Sequence, residues 1–250
     1  MKFALAPLFV AALFSVHGSW KLQSAVAPAA APHAPAPDEF DARFPRPKHA
    51  VALESASLAE LVQRVSAATG VVYSTSTPQA QKELESKRVT LSAKAEVAPD
   101  ELYPWFESLL VQHGYYLSAP LQLDPPLAAL RKAGFDKPVE GDALEVPLAR
   151  LEFLKQHPAL QARVTLGVQH VDVRLFNATL RPLCGFDNNP TNVMPAGIAP
   201  GLVLQGPGQT LFALAELIVR IDAACAKAGD PAEATRILQR EVKLEVEKRR

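Results

Sequence analysis

The sequence predicts an α+β protein made of two small two-layer modules. Each has strand-helix-strand-strand-helix order, and in each a short mixed sheet carries helices on one face. Two observations predict this. The hydrophobic period switches repeatedly between 2 and 3.6 along the chain, and the same order of elements occurs twice. Length agrees: 250 residues accommodate two domains of roughly 75 to 100 residues with tails. The resulting division is 1–27 for a targeting segment, 28–47 for a Pro/Ala-rich linker, 48–120 for the first module and 121–162 for a Pro-punctuated connector. The second module takes 163–226 and a charged C-terminal segment takes 227–250.

The first module opens with the alternating run His49-Ala50-Val51-Ala52-Leu53 and changes period at Ser57-Leu58-Ala59-Glu60, a capping-box signature. Leu58, Leu61, Val62 and Val65 then recur at helical spacing, and Gly70 stands where a left-handed C-terminal cap belongs. Val71-Val72-Tyr73 reads as a short strand. A polar stretch through Gln79 and Lys87 follows, and then Val89-Thr90-Leu91-Ser92-Ala93, whose strict alternation predicts a half-buried strand. Asp100 is placed to cap a second helix with Leu102, Trp105, Phe106, Leu109 and Leu110 on its apolar face. Pro104 inside that helix is expected to remove a hydrogen bond or kink it. His113 suits the helix end, Gly114 stops the helix, and Tyr115-Tyr116-Leu117 closes the sheet.

The second module repeats the order. Residues 164–171 are extended, and Val173, Phe176, Leu180 and Leu183 fall on one helical face. Residues 190–200 are turn-rich around a short strand, and Leu202-Val203-Leu204 is another strand. Leu211, Leu214, Leu217, Ile218 and Ile221 then line a long amphipathic helix. In the connector, 127–133 and 148–156 read as short helices. At the C-terminus, Asp230, Pro231 and Glu233 start a helix well, although Val242, Leu244 and Val246 alternate with charges as a strand would; a charged terminal helix is the preferred reading of 239–248.

Lys2 precedes an uncharged apolar run over 3–16, the charge-then-hydrophobic order of a secretory signal, with Ala25-Val26-Ala27 as a small-x-small cleavage site. The alternative is an uncleaved inner-membrane anchor over 3–20. Either reading places the rest of the chain in an extracytoplasmic, periplasmic space. Cys184 and Cys225 fit neither a metal site nor a redox pair. They are read as free buried thiols on helical faces, with a disulfide as the alternative that an oxidising compartment would permit.

Formal charge is zero, with 26 basic and 26 acidic residues, so no overall field draws the chain to nucleic acid, and nucleic acid is not expected as a partner. Catalysis needs a constellation, and none is legible: no catalytic, cofactor-binding or metal-ligating residues are assigned, and no cofactor is expected. Gly206-Pro207-Gly208-Gln209-Thr210 lacks the Lys of a phosphate loop and reads as a strand-to-helix turn. Asn177-Ala178-Thr179 matches the glycosylation triplet but lies inside a predicted helix.

Two stretches carry a family resemblance. Ala68-Thr69-Gly70-Val71-Val72-Tyr73, Arg88-Val89-Thr90-Leu91 and the helix from Asp100-Glu101-Leu102 to His113-Gly114-Tyr115 are similar to a periplasmic N-domain of the bacterial secretins of type II secretion and type IV pili. Val168-Gln169-His170-Val171-Asp172, Leu180-Arg181-Pro182-Leu183, Gly201-Leu202-Val203-Leu204-Gln205-Gly206 and 213–222 resemble the next N-domain. The stretch 74–87 is longer than the corresponding secretin connection, and the sequence ends where the channel-forming β-domain would begin. The resemblance therefore implies the periplasmic portion alone, a non-catalytic component or assembly factor of a secretion or pilus system. It also implies self-association, or a secretin or pilus-assembly protein as partner, and membrane contact only through an uncleaved N-terminal segment. The alternative is a periplasmic adaptor or ligand-binding module, which a pocket lined by Tyr103, Trp105 and Tyr116 would support, although those aromatics are expected in the core. An enzyme would require a cleft holding paired carboxylates.

Overall fold

Ser57 starts the first helix. Its hydroxyl accepts from the Glu60 amide while the Glu60 carboxylate accepts from the Ser57 amide, so two main-chain donors that the helix cannot satisfy are bonded reciprocally. This helix, α1, runs over Leu58–Thr69 and ends on Gly70 at φ 77°, a left-handed position that an L side chain would strain. Leu58, Leu61, Val62 and Val65 are all buried, as their spacing predicts.

The structure, a computed structural model, describes residue 40 and residues 42–134, 142–184, 191–197 and 200–248. The expected signal or anchor (1–27, with 3–20 as the spanning stretch) and the linker up to residue 39 lie outside the described residues. No helix among the described residues is long and apolar enough to cross a membrane.

The fold is α+β with several short mixed sheets. In the first half, β1 (Val51–Leu53) pairs with β5 (Ala95–Val97), and β2 (Ala56–Ser57) pairs with β4 (Arg88–Val89). A three-stranded sheet has the order β3 (Val72–Thr75), β7 (Leu127–Lys132), β6 (Tyr115–Leu117), with β7 parallel to β3 and antiparallel to β6. Helices α2 (Pro78–Ser86) and α3 (Leu102–Gln112) complete this half. In the second half, β8 (Leu144–Glu145), β9 (Gln161–Gly167), β10 (Asn192–Pro195) and β11 (Gly201–Pro207) form one sheet of order β10-β11-β9-β8. Helix α4 (Phe153–Gln156) precedes β9, α5 (Val173–Cys184) follows it, and α6 (Gly208–Cys225) continues directly from β11. The last helix, α7 (Pro231–Lys248), packs on α5 and α6.

Several expectations need correction. Residues 127–132 form a central strand, not a short helix: pairing with β3 and β6 on both sides outweighs the helical propensity of Leu127-Ala128-Ala129-Leu130. The polar stretch after β3 holds a helix, α2, with Thr77 as its cap and Pro78 at its first position, a start signal that was there to be read. The alternating run 89–93 is strand only at Val89, and the pairing partner of β1 comes later, at Ala95–Val97. Asp100 does not cap α3, whose flanking residue is Glu101 with no side-chain cap bond. Pro104 removes nothing, because it lies in the first turn, where the amide has no partner within the helix. The C-terminal segment is helical throughout 231–248. Ala234, Leu238 and Val242 are buried four residues apart, which settles the period in favour of a helix.

The capping box yields a prediction. Hydrogen bonds from Ser57 hold the Glu60 carboxyl below its ordinary value, so the ionised form is the one that stabilises the fold. Ser57→Ala is expected to cost about 1 kcal/mol in urea denaturation at neutral pH. The separate penalty of Glu60→Ala should shrink as pH falls and the wild-type carboxylate takes up its proton.

Candidate functional site

Glu107 lies one turn beyond Tyr103 and one turn before Leu110 on the buried face of α3, and it is 0% exposed. A buried carboxylate needs donors, and both come from one short segment ahead of β9: His157 Nδ1 lies 2.8 Å from Oε1, and the Ala159 amide donates to Oε2 at 3.0 Å. His157 Nδ1 and the Ala159 amide thus each meet a different oxygen of the carboxyl group. The ring of His157 stacks at 4.0 Å from Phe44 and 4.5 Å from Phe153, with Tyr103 at 5.3 Å. Tyr103 donates its hydroxyl to the Pro45 carbonyl at 2.8 Å; burial, and then the Glu107 charge, push its phenol well above the ordinary tyrosine range.

The segment 157–160 is bonded from its other side as well. The Leu117 amide at the end of β6 donates to Ala159 at 2.8 Å, and Leu117 and Leu160 form a parallel bridge. At the start of α6, the Gly208 amide donates to Leu160 and the Gln209 amide to Pro158, so two orphan donors of that helix end on the same segment. Only glycine fits at 208, because a Cβ there would collide with the His157 carbonyl. The two cores also exchange residues: Tyr103 of α3 packs with the second core, and Ala159 packs with the first. Four residues thus join α3 and β6 to α4, β9 and α6.

What the protein offers outward is sheet edge and helix face. β10 and β8 are the edges of the second sheet and β3 is an edge of the first, so each leaves main-chain groups outside its own ladder. Met194 on β10 and Val72 on β3 are exposed apolar residues on these edges, and Val219 and Leu244 stand exposed on α6 and α7.

In the structure comparison, the chain is similar to a chain of the type II secretion system outer membrane complex of Klebsiella pneumoniae, containing PulD, PulS and the PulC HR domain. The TM-score is 0.52 at 14% identity, over 68% of this chain and 26% of that one. The two modules have the fold of secretin N-domains. The chain spans about a quarter of that relative's length. Matches of lower score include the N-terminal domain of the secretin XcpQ from Pseudomonas aeruginosa (TM-score 0.24, 17% identity, 72% of this chain and 65% of that one). The GspC-GspD complex of enterotoxigenic Escherichia coli is another (0.24, 15%, 70% and 98%). No protein-family model matches the sequence, and no curated protein does.

Within these secretin-type modules, Tyr103 and Tyr116 are core residues at 5% and 1% exposure, and Trp105 packs against the first core, so the three aromatics serve as packing. His113 is the C-terminal flanking residue of α3, as expected. Cys184 and Cys225 are both buried and are not joined by a disulfide. Gly206-Pro207-Gly208 is the passage from β11 into α6, and Asn177-Ala178-Thr179 lies within α5. Sequence reasoning missed the joint. Its signal was a carboxylate, Glu107, on the same stripe as Tyr103 and Leu110.

Glu107→Ala leaves the Ala159 amide and the His157 ring without their acceptor, and unsatisfied buried donors cost about 1–3 kcal/mol each. A loss of about 2–4 kcal/mol is expected in urea denaturation, and Glu107→Gln, which keeps an oxygen for Ala159, should lose less. Gly208→Ala should also destabilise, since the carbonyl it meets is main chain and cannot swing away.

Proposed function

We propose that this chain is an exported, non-catalytic component or assembly factor of a bacterial protein secretion or pilus system. In this reading residues 1–27 deliver it to the periplasm or, left uncut, hold it to the inner membrane through 3–20. The two joined modules then pack side by side with further copies, or with a secretin or pilus-assembly protein, through the open edges of their sheets.

The observation that carries this reading is the pairing of a secretin N-domain fold with accessible strand edges. A joint that fixes one module against the other supports it, because a ring or stack needs subunits of constant shape. The described surface bears on it too: β10 presents Met194 outward with no charged side chain on the strand, and Pro195 at its end confines added pairing to the residues before it.

In-cell crosslinking of a C-terminally tagged copy in its own host, followed by mass spectrometry, tests the proposal. A ladder of self-multiples, or capture of a secretin or pilus-assembly protein, is expected, and Met194→Lys should weaken the self-ladder by placing a charge on the β10 edge. Monomer alone, with only unrelated soluble envelope proteins captured, would reject it.

A further inference from the structure

On the first module a groove of about 720 Å³ runs between the segment 46–52, which bends at Lys48 and His49 before β1 begins, and the last turn of α1. Its walls are small: Ala50 and Ala52 on one side face Ala67 and Ala68 on the other, so another main chain can approach closely. Its rim is cationic. Arg46 and Lys48 are exposed, Arg64 stands opposite, and no acidic residue lines the groove. Glu54, bonded to Arg64 at 3.0 Å, is the carboxylate beside it. The strand that forms one wall, β1, pairs through β5 on one edge only. Among the described residues, 46–53 make no main-chain hydrogen bonds outside that ladder beyond their own strand pairing.

We propose that this groove docks an extended, acidic segment of a partner protein, which adds as a strand to the open edge of β1 and sets its carboxylates against Arg46, Lys48 and Arg64. An open strand edge supplies main-chain bonds, and alternate side chains of an added strand fall on one side, where the rim reads their charge. Specificity and encounter rate come from that charge match. Nucleic acid fits less well, because His49 is the single ring among the described residues lining the groove, with no Phe, Tyr or Trp beside it to form a stacking platform. A bilayer fits less well, because the groove carries no large exposed apolar residue. The surface is distinct from β10, so it stands or falls apart from the assembly reading above.

Fluorescence anisotropy with the purified chain and three labelled hexapeptides, alternating Val with Glu, with Gln or with Lys, tests the proposal. Saturable binding in the order Glu, Gln, Lys is expected, and it should weaken as salt rises from about 50 to about 500 mM, where screening shortens to a few ångströms. The double substitution Arg46→Glu/Lys48→Glu should weaken the Glu peptide by about tenfold or more while Lys227→Glu, at the start of the C-terminal segment, leaves it unchanged. In wild-type protein, amide NMR shifts on adding the Glu peptide should concentrate at 50–53 and 67–70. Equal binding of the three peptides, no saturation at millimolar peptide, or shifts centred elsewhere would overturn the proposal. So would tighter binding to an anionic phosphatidylglycerol vesicle or a single-stranded oligonucleotide than to the Glu peptide.

Discussion

A carboxylate with no access to water must find its donors within the protein, and Glu107 finds both of them on one four-residue segment. That requirement organises the molecule. Because His157 and Ala159 must sit against α3, the main chain between them is held where Leu117 can bond it from β6 and where Gly208 and Gln209 can end on it from α6. The close approach then demands glycine at 208, and it gathers Phe44 and Phe153 together against the imidazole. Removing the acceptor would free the donors, and the contacts around them would have no reason to keep their geometry.

The consequence for function is mechanical. Two modules joined by a single covalent linker would sample many orientations, and any array built from them would pay an ordering entropy at each contact. The joint makes that orientation part of the fold, so edges such as β10 and β3 are presented at a fixed relation. The groove beside β1 adds a surface of different character, with a cationic rim. An assembly subunit with one surface for its own kind and another for an acidic segment would couple incorporation to recognition.

Much of this was legible in the residues, and the reasons are specific. Long amphipathic stripes such as Leu211, Leu214, Leu217, Ile218 and Ile221 declare themselves because a single period runs for several turns. The Ser57 and Glu60 pair and the glycines at 70 and 114 punctuate the chain because capping chemistry is local. What was not legible depended on partners distant in sequence. Leu127-Ala128-Ala129-Leu130 has good helix formers and becomes a strand only because β3 and β6 flank it. The alternation at 242–246 resembles a strand, and contacts with α5 and α6 decide otherwise. Glu107 and His157 are fifty residues apart, and nothing in local propensity couples them. The edges and the basic groove likewise arise only when Arg46, Lys48 and Arg64 are brought together by the fold.

Native-state hydrogen exchange, read amide by amide in low denaturant, shows whether the segment 157–160 makes the two modules one cooperative unit. The amides of Leu117, Ala159 and Gly208 should open only with global unfolding, at the same free energy as core amides of β9 and α1. Exchange of those three amides through a separate low-energy opening, while both cores stay protected, would show that the modules are independent and would contradict that cooperativity.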